Sequence, residues 1–278
     1  MRKITTGIYT ENKYPSVLLG VIVSDDGLLL IDNPIRLEDG RSWLSQVAEY
    51  GKAHYVVLLD HHPDRVVGAR DLNIPLIGHQ FTRQYLVSRS DSFKGNTHPI
   101  GAETDRLKRI TGLTRSIPDL SFKHKMKIRL GKLEIEFWHN PGPTPGAIWV
   151  VNHKRKTLFI GDTVTVDEPP YVGAADIDGW LESLDFLRSA QLNGYRFISS
   201  RDGIIKREQI NSMARFVRKV QIRVERLGRL GDLERASNTA ASEILKGYKL
   251  SGTRADIAQF RLKVGFEDLY NKMFKSED

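Results

Sequence analysis

Residues 53–65 read AHYVVLLDHHPDR, and this stretch is the most informative about the fold. Its first half is a continuous apolar run, which is typical of a strand buried on both faces. Its second half holds acids, histidines and an arginine directly after that run. In α/β proteins the loops at the carboxyl ends of buried strands usually carry the chemistry. The stretch therefore predicts a buried strand that ends at a functional site.

Apolar runs on both sides of this stretch predict strands in two batches. The turn sequence SDDG at residues 24–27 splits the first two runs, which indicates a hairpin. Helical spacing of apolar residues at 41–50 and 178–190 predicts a helix that closes each batch. The predicted strands are residues 17–24, 27–32, 53–60, 74–79, 125–130, 133–139, 147–152, 156–162 and 195–200. This order of elements is typical of a layered α/β domain.

From about residue 206 the pattern becomes helical and the charge becomes basic. Apolar residues between Ile210 and Leu227 step by three and four, as in an amphipathic helix. Residues 206–278 carry 16 Lys and Arg against 10 Asp and Glu. We expect a domain at 1–205, followed by a basic helical extension at 206–278 that packs on the domain or mediates homodimerisation.

The composition excludes several classes of protein. The chain has 278 residues, a net charge of +8 and no cysteine. Disulfide scaffolds, thiolate zinc sites, iron–sulfur clusters and cysteine nucleophiles are therefore excluded. No apolar run approaches the length needed to span a bilayer, and the first residues lack the apolar core of a signal peptide. We expect a cytoplasmic protein that does not contact a membrane.

Carboxylates follow several of the predicted strands. The run Asp60-His61-His62-Pro63-Asp64-Arg65 combines imidazole and carboxylate groups, which suit zinc, iron or manganese. Asp162 ends the strand at 156–162, and Asp202 lies just beyond the strand at 195–200. A rigid turn with the sequence NPGPTPG occupies residues 140–146. Together these segments predict a polar site at one edge of the domain.

The order of these segments resembles that of the metallo-β-lactamase superfamily over roughly residues 3–205. In that family an early strand ends in an Asp that supports the metal loop, here Asp32. The resemblance aligns the family's metal loop with residues 60–65, its ligand-bearing turn with residues 141–146, and its bridging carboxylate with Asp162. It implies the family's four-layer αββα sandwich, an α/β fold, here with a C-terminal helical extension.

The aligned metal ligands depart from the family's pattern. The family's own residues remain at His62, Asp64 and Asp162. A different possible ligand replaces His at Asp60 and Asp202. Pro143 cannot ligate through its side chain, and Arg65 carries a fixed positive charge. We therefore expect a reduced site that holds at most one metal ion.

Two outcomes stay open for this site. In the first, Arg65 replaces a metal ion, because a carboxylate cluster needs a cation and a fork-shaped one can serve. The carboxylates that it could pair with are Asp64, Asp162 and Asp202. In the second, Asp60, His62 and Asp162 hold one zinc, iron or manganese ion, with Asp202 as a further possible ligand.

The two outcomes give the site residues different roles. In an active enzyme the metal ion would activate water, Asp64 would act as the base, and Arg65 would stabilise an anion. Otherwise Asp64 would pair with Arg65. The residues expected to line the pocket or to support the ligands are Asp32, His61, His79, Pro143, Thr144 and Tyr171.

Three functions follow as hypotheses. The first is a metal-dependent hydrolase that acts on an ester, lactone, thioester or phosphodiester, as members of the family do. The second is a non-catalytic protein whose pocket binds a small-molecule ligand or a partner. The third is a nucleic-acid-associated protein that uses the basic C-terminal helices, and it predicts salt-dependent binding through Arg215, Arg218 and Arg223.

Overall fold

Strands and helices follow one another in the two batches that the apolar runs predict. The computed structural model describes residues 1–89, 98–107, 115–227 and 232–275. Its strands are β1 (Arg2–Thr5), β2 (Ile8–Glu11), β3 (Leu19–Ser24), β4 (Gly27–Ile31), β5 (Ala53–Val57), β6 (Leu76–His79), β7 (Leu120–Phe122), β8 (Lys125–Leu130), β9 (Leu133–His139), β10 (Ile148–Asn152), β11 (Thr157–Gly161), β12 (Arg196–Ser199) and β13 (Gly203–Ile205). Its α-helices are α1 (Leu37–Val47), α2 (Pro63–Val66), α3 (Gln80–Val87), α4 (Ile177–Arg188), α5 (Arg207–Leu227), α6 (Leu233–Leu245) and α7 (Gly252–Phe274).

The strands form two mixed sheets. The first has the order β1-β2-β3-β4-β5-β6-β7, and the second has the order β13-β12-β11-β10-β9-β8. Pairing is parallel from β4 through β7 and between β11 and β12. Parallel neighbours end at the same edge of a sheet, so the loops after β4, β5, β11 and β12 share one edge of the molecule. That edge carries the candidate site.

The two sheets pack face to face, and β4 illustrates the layers. Leu29 and Ile31 of this strand join the apolar cluster between the sheets. Leu28 and Leu30 point the other way and pack under α1 with Trp43. Side chains alternate along a strand, so a strand covered on both faces must be apolar at every position. This explains the uninterrupted run GLLLI in the sequence.

The C-terminal helices cover the outer face of the second sheet. Trp149 of β10, Trp180 of α4 and Val217 of α5 belong to one buried apolar cluster. The cluster also includes Ala240 of α6 and Phe266 of α7. The apolar stripe of α5 is therefore buried within the chain itself. The oligomeric state and a domain boundary at 205 stay predictions.

The four-layer sandwich with C-terminal helices is confirmed. Strands β7 and β13 have three residues each, too short to show a periodic pattern in the sequence. Helix α6 begins at Leu233, where the Asp232 side chain caps the backbone amide of Arg235. Among the helices that the structure describes, none is both long and apolar enough to cross a membrane.

Candidate functional site

Four charged side chains converge at the shared edge because they follow parallel strands. Asp32 comes directly after β4, and Asp60 lies three residues beyond the end of β5. Asp162 comes directly after β11, and Arg201 lies two residues beyond β12. The backbone amide of Leu18 donates to the Ser200 carbonyl and that of Ile148 to the Leu59 carbonyl, which joins the two sheets here. The fold thus brings groups up to 169 positions apart in the sequence into one cluster.

Arg65 is the centre of this cluster. Its side chain is 0% exposed and makes ion pairs with three carboxylates. Nε lies 2.8 Å from Asp60 Oδ1, and Nη2 lies 2.5 Å from Asp162 Oδ1. Nη1 contacts Asp32 Oδ2. The three sides of the guanidinium fork each meet a carboxylate, which is the geometry that Arg offers and Lys does not.

The short helix α2 places Arg65 inside the molecule. Pro63 occupies the first turn, where its missing amide hydrogen is not needed. His62 is the N-cap, and its Nδ1 accepts a hydrogen bond from the backbone amide of Asp64 at 3.3 Å. The Asp60 side chain accepts from the His62 amide at 2.8 Å and so fixes the approach to the helix. Local capping therefore turns the arginine toward the carboxylates.

Asp32 supports the cluster from below the loop. Its backbone adopts a left-handed conformation with φ of 58°, which Asp tolerates better than most residues. Its carboxylate accepts hydrogen bonds from the Leu59 amide at 3.1 Å and from Ser200 Oγ at 3.2 Å. Burial raises the pKa of Asp32 to about 6 even though the Arg65 guanidinium lowers it. At neutral pH the group is therefore ionised against Arg65.

Arg201 is a second cation in the cluster, and the sequence comparison with the family did not single it out. Its Nε and Nη2 lie 3.1 Å from the two oxygens of Asp162, and Nη1 donates to the Ser16 carbonyl at 2.9 Å. Nη1 also lies 3.5 Å from Asp64. Burial raises the pKa of Asp162, but Arg201 and Arg65 together outweigh it and hold this pKa far below its usual range. A signal existed in the sequence, because Arg201 follows a predicted strand.

Asp64 and His62 lie beside the arginines. Asp64 accepts hydrogen bonds from the backbone amides of Glu103 at 3.2 Å and Thr104 at 2.9 Å. Burial raises the pKa of Asp64, but His62, Arg201 and these amides lower it below its usual value. Burial lowers the pKa of His62, so its imidazole is neutral near pH 7. Asp64 thus faces Arg201, whereas the sequence suggested Arg65 as its partner.

Asp202 does not reach the cluster around Arg65. Its two oxygens accept hydrogen bonds from the backbone amides of Val166 at 2.9 Å and Asp167 at 3.1 Å. Burial raises its pKa. The side chain ties the loop after β11 to the end of β12. Of the ligand set that the sequence offered, His62, Asp162 and Asp202 line one cavity, whereas Asp60 is not among its lining residues. Both oxygens of Asp202 are occupied by backbone amides.

The remaining predicted pocket residues are divided between two environments. His61 stacks on Tyr85 with 4.0 Å between ring centroids, and Tyr171 donates to Asp268 at 2.5 Å. His79 instead stacks on His139 at 3.7 Å and lines neither cavity of the site. Pro143 is buried within its turn, and the adjacent Thr144 lines a cavity.

Two cavities flank His62 and Tyr171. The smaller one has a volume of about 310 Å³ and is polar. The described residues that give it its charge are Asp64, Asp162, Asp167, Asp202, Glu103, Glu168, Arg106, Arg201, Arg254 and Arg261. The larger one has a volume of about 730 Å³ and lies between α3 and α7. Both volumes fall within or close to the range of small-molecule sites.

A metal ion does not fit the residues at the centre of the site. The guanidinium of Arg65 already contacts Asp60 and Asp162, two of the three ligands in the single-metal hypothesis. The third, His62, uses Nδ1 to cap α2. Within the ranges that the structure describes, no group of three or more His, Asp or Glu side chains is placed to hold an ion. The described side chains at this centre therefore offer a metal ion no complete ligand set.

Comparison with known proteins supports the fold. No protein-family model matches the chain, and no curated protein matches its sequence. Among solved structures, it is similar to a metallo-β-lactamase from Pontibacter korlensis, with 15% identity, a TM-score of 0.59, and coverage of 78% of this chain and 97% of that one. It is also similar to the DIM-1 metallo-β-lactamase, with 17% identity, the same TM-score, and coverage of 78% and 95%. At these identities the likeness establishes the fold alone.

Proposed function

We propose that this chain, which has the metallo-β-lactamase fold, is a metal-independent ligand-binding protein in which Arg65 takes the structural place of a metal ion. One observation carries the proposal: a fully buried guanidinium makes ion pairs with Asp32, Asp60 and Asp162. A buried carboxylate cluster needs a compensating positive charge, and this charge is supplied by the chain. The edge of the fold can then keep its shape without a bound ion.

Electrostatics argue against a metal ion beside Arg65. A divalent cation that used Asp60 or Asp162 would lie within a few ångströms of the guanidinium, where like charges repel strongly in a region of low polarity. Arg201 adds a second positive charge on the other side of Asp162. The two arginines also occupy both oxygens of Asp162 and one oxygen of Asp60. Ligand binding in the larger cavity does not need the carboxylates of the cluster, because none of them is among its lining residues.

Metal content per chain tests this proposal. The protein is purified without chelator or metal-affinity resin from cells supplied with zinc, iron and manganese, and then analysed for elements. We expect substoichiometric traces that are the same in His62→Ala and in His124→Ala, an exposed histidine outside the site. We also expect the midpoint of thermal unfolding to be unchanged by chelator.

The single-metal hydrolase is the outcome that would overturn the proposal. It requires one ion per chain, retained in His124→Ala and lost in both His62→Ala and Asp162→Ala. In that case esters, lactones, thioesters and phosphodiesters become the substrates to screen. Circular dichroism of each variant separates loss of an ion from loss of the fold.

A further inference from the structure

The larger cavity joins two parts of the chain that are far apart in sequence. One wall comes from the loop after β5 and from α3, and it includes His61 and Tyr85. The opposite wall comes from α7, near the end of the described chain. One face of α7 lines both cavities, through Arg254, Ile257, Arg261, Asp268 and Lys272. The C-terminal helix therefore shapes the site as well as packing on the second sheet.

The lining of this cavity is largely apolar and aromatic. Val66, Val67 and Ile100 contribute aliphatic surface. The ring of His61 stacks on Tyr85 with an angle of 22° between planes, which forms a flat aromatic wall. Phe81 is 47% exposed and extends the apolar lining to the rim. Such a surface suits the apolar body of an organic ligand.

The charges around the cavity are mostly positive. Among the described lining residues, the permanent cations are Arg89, Arg115 and Lys272. The guanidinium of Arg89 lies 4.8 Å from the centroid of the Tyr85 ring. Asp268, the single carboxylate among these residues, already accepts hydrogen bonds from Tyr171 at 2.5 Å and His98 at 3.0 Å. Burial lowers the pKa of Arg115, Tyr85 raises it, and the neighbouring Arg89 lowers it again, so two of these cations lie close together.

Two deeply buried polar side chains line the same cavity without a hydrogen bond. His61 is 8% exposed and Thr144 is 4% exposed. Within the described residues, His61 Nδ1 and Thr144 Oγ1 have no hydrogen-bond partner. Buried polar atoms nearly always have a hydrogen-bond partner, so two unpaired atoms in a cavity wall point to a ligand or to ordered water. Burial lowers the pKa of His61 to about 4, and the neutral ring can donate or accept at pH 7.

We infer that the larger cavity binds an amphipathic organic anion, in which one carboxylate is carried on an acyl or aryl body. The apolar walls hold the body, and the carboxylate faces Lys272 and the two arginines. His61 and Thr144 supply polar contacts at the inner wall. The inference deepens the proposed function, since it names the ligand class of the binding protein. It uses none of the carboxylates around Arg65.

A displacement titration with ligands of matched length tests the charge and the body together. The probe is 8-anilinonaphthalene-1-sulfonate, an aromatic anion whose fluorescence rises in apolar sites. The competitors are decanoate, decanol and decyltrimethylammonium. We expect decanoate to displace the probe at a concentration at least tenfold lower than decanol does. The cation is not expected to displace the probe. The preference for decanoate is expected to shrink in high salt, because part of it is electrostatic.

Matched variants locate the binding to this cavity. Lys272→Met is expected to weaken decanoate binding about tenfold, which corresponds to about 1.4 kcal/mol. Lys275→Met, one turn or less away on the same segment and outside the cavity lining, is expected to leave it unchanged. Arg89→Gln is expected to weaken binding severalfold, whereas Arg83→Gln on α3 is expected to have no effect. The Arg89 pair is needed because Lys272 also donates to the carbonyls of Ala174 and Ala175, so its loss could loosen α7.

Three results would overturn the inference: no displacement by decanoate, equal affinity for decanoate and decanol, or equal effects in the cavity and control variants. The outcome is independent of the metal measurement. A protein with one ion per chain that still prefers decanoate would refute the metal-free centre and retain the binding site. A metal-free protein that does not bind decanoate would refute the proposed binding site and leave the metal-free centre intact.

Discussion

Two ionic clusters in this molecule have mirror-image compositions, and their cations differ in exposure although their carboxylates are all buried. At the strand-end edge, one cation, Arg65, faces three carboxylates. On the outer face of the second sheet, one carboxylate, Glu136, faces three basic groups: Lys125 at 2.6 Å, His153 at 3.0 Å and Lys127 at 3.3 Å. The Arg65 side chain is 0% exposed, whereas Lys125 and Lys127 are about half exposed.

This difference shows that burial of the charged groups, more than the number of partners, determines how much an ion pair contributes to stability. Around Glu136, water solvates the surplus positive charge, and the net contribution of each pair is small. Around Arg65, the surplus carboxylates are almost fully buried, so their charge needs a further cation, and Arg201 supplies it. The cluster around Glu136 can lose one of its half-exposed lysines at little cost. The buried cluster around Arg65 cannot.

Removing Arg65 should have the largest effect. Arg65→Met leaves Asp32, Asp60 and Asp162 buried against an apolar side chain, and we expect a loss of about 3–5 kcal/mol in the free energy of unfolding. Urea unfolding at pH 7 measures it. Arg65→Lys keeps the charge but not the fork and should lose less than Arg65→Met. Full stability of Arg65→Met would show that the cluster does not depend on this cation.

Histidine titration should give the next largest effect, because His79 is buried whereas His153 is exposed. His79 stacks on His139 and donates from Nε2 to the Lys123 carbonyl at 2.7 Å. Burial lowers the pKa of His79 to about 4, below its ordinary value of 6.5. Between these values the unfolded chain binds more protons, so stability is complete above pH 6.5 and falls as the pH approaches 4, by up to about 3 kcal/mol.

Unfolding free energies at pH 7 and pH 4.5 check this expectation. His79→Asn keeps hydrogen-bonding capacity without the titrating ring and should reduce the pH dependence. His153→Asn, in the exposed cluster, should leave it close to that of the parent protein. Equal pH dependence in all three proteins would mean that the stacked pair does not resist protonation.

Arg201 lies between the two extremes, because its side chain is 26% exposed. Arg201→Gln removes the paired contacts to Asp162 and leaves Arg65 in place. Partial solvation of the remaining carboxylate should limit the loss to about 1–2 kcal/mol, measured by urea unfolding. A loss as large as that of Arg65→Met would place the two arginines in one inseparable unit.

Glu136→Gln should have the smallest effect. Burial raises the pKa of Glu136, but hydrogen bonds from Lys125, His153 and Trp138 outweigh it and lower this pKa to about 2. Its contribution is therefore present above pH 4.5 and is lost as the pH falls toward 2. With half-exposed partners we expect a change below about 1 kcal/mol at pH 7, which disappears in 1 M NaCl. A larger loss of stability that persists in 1 M NaCl would show that the pairs around Glu136 contribute as strongly as those around Arg65.

Much of the fold could be predicted because its signals are local. The hairpin around Gly131 and Lys132 has the predicted strand limits, and the apolar run at 53–60 contains β5. The resemblance to the metallo-β-lactamase superfamily extended these local signals to the order of the layers. The solved structures of that fold agree with it. The elements that the sequence did not predict are the strands β1, β2, β7 and β13 and the helices α2 and α3.

The site was harder to predict because its contacts are not local. The sequence placed Asp60, Asp162 and Arg65 at the right edge, but it left open whether Arg65 would face a metal ion or the carboxylates. It offered Asp202 as a ligand, whereas the turn after β12 directs Arg201 to Asp162 and Asp202 to backbone amides. A shift of one position along a turn changes which side chain points inward, and no periodic pattern records that choice.

Three features could be predicted from the sequence alone: the two batches of strands, the helices that cover them, and the charged residues that follow the strands. Hydrophobic periodicity and strand-end position are properties of short segments, so they can be read without the fold. Three further features depend on the tertiary structure: which charged groups are in contact, the complete burial of Arg65 among carboxylates, and the cavity that α7 forms with α3. Burial is a property of the whole molecule, and burial determines what a charged side chain does.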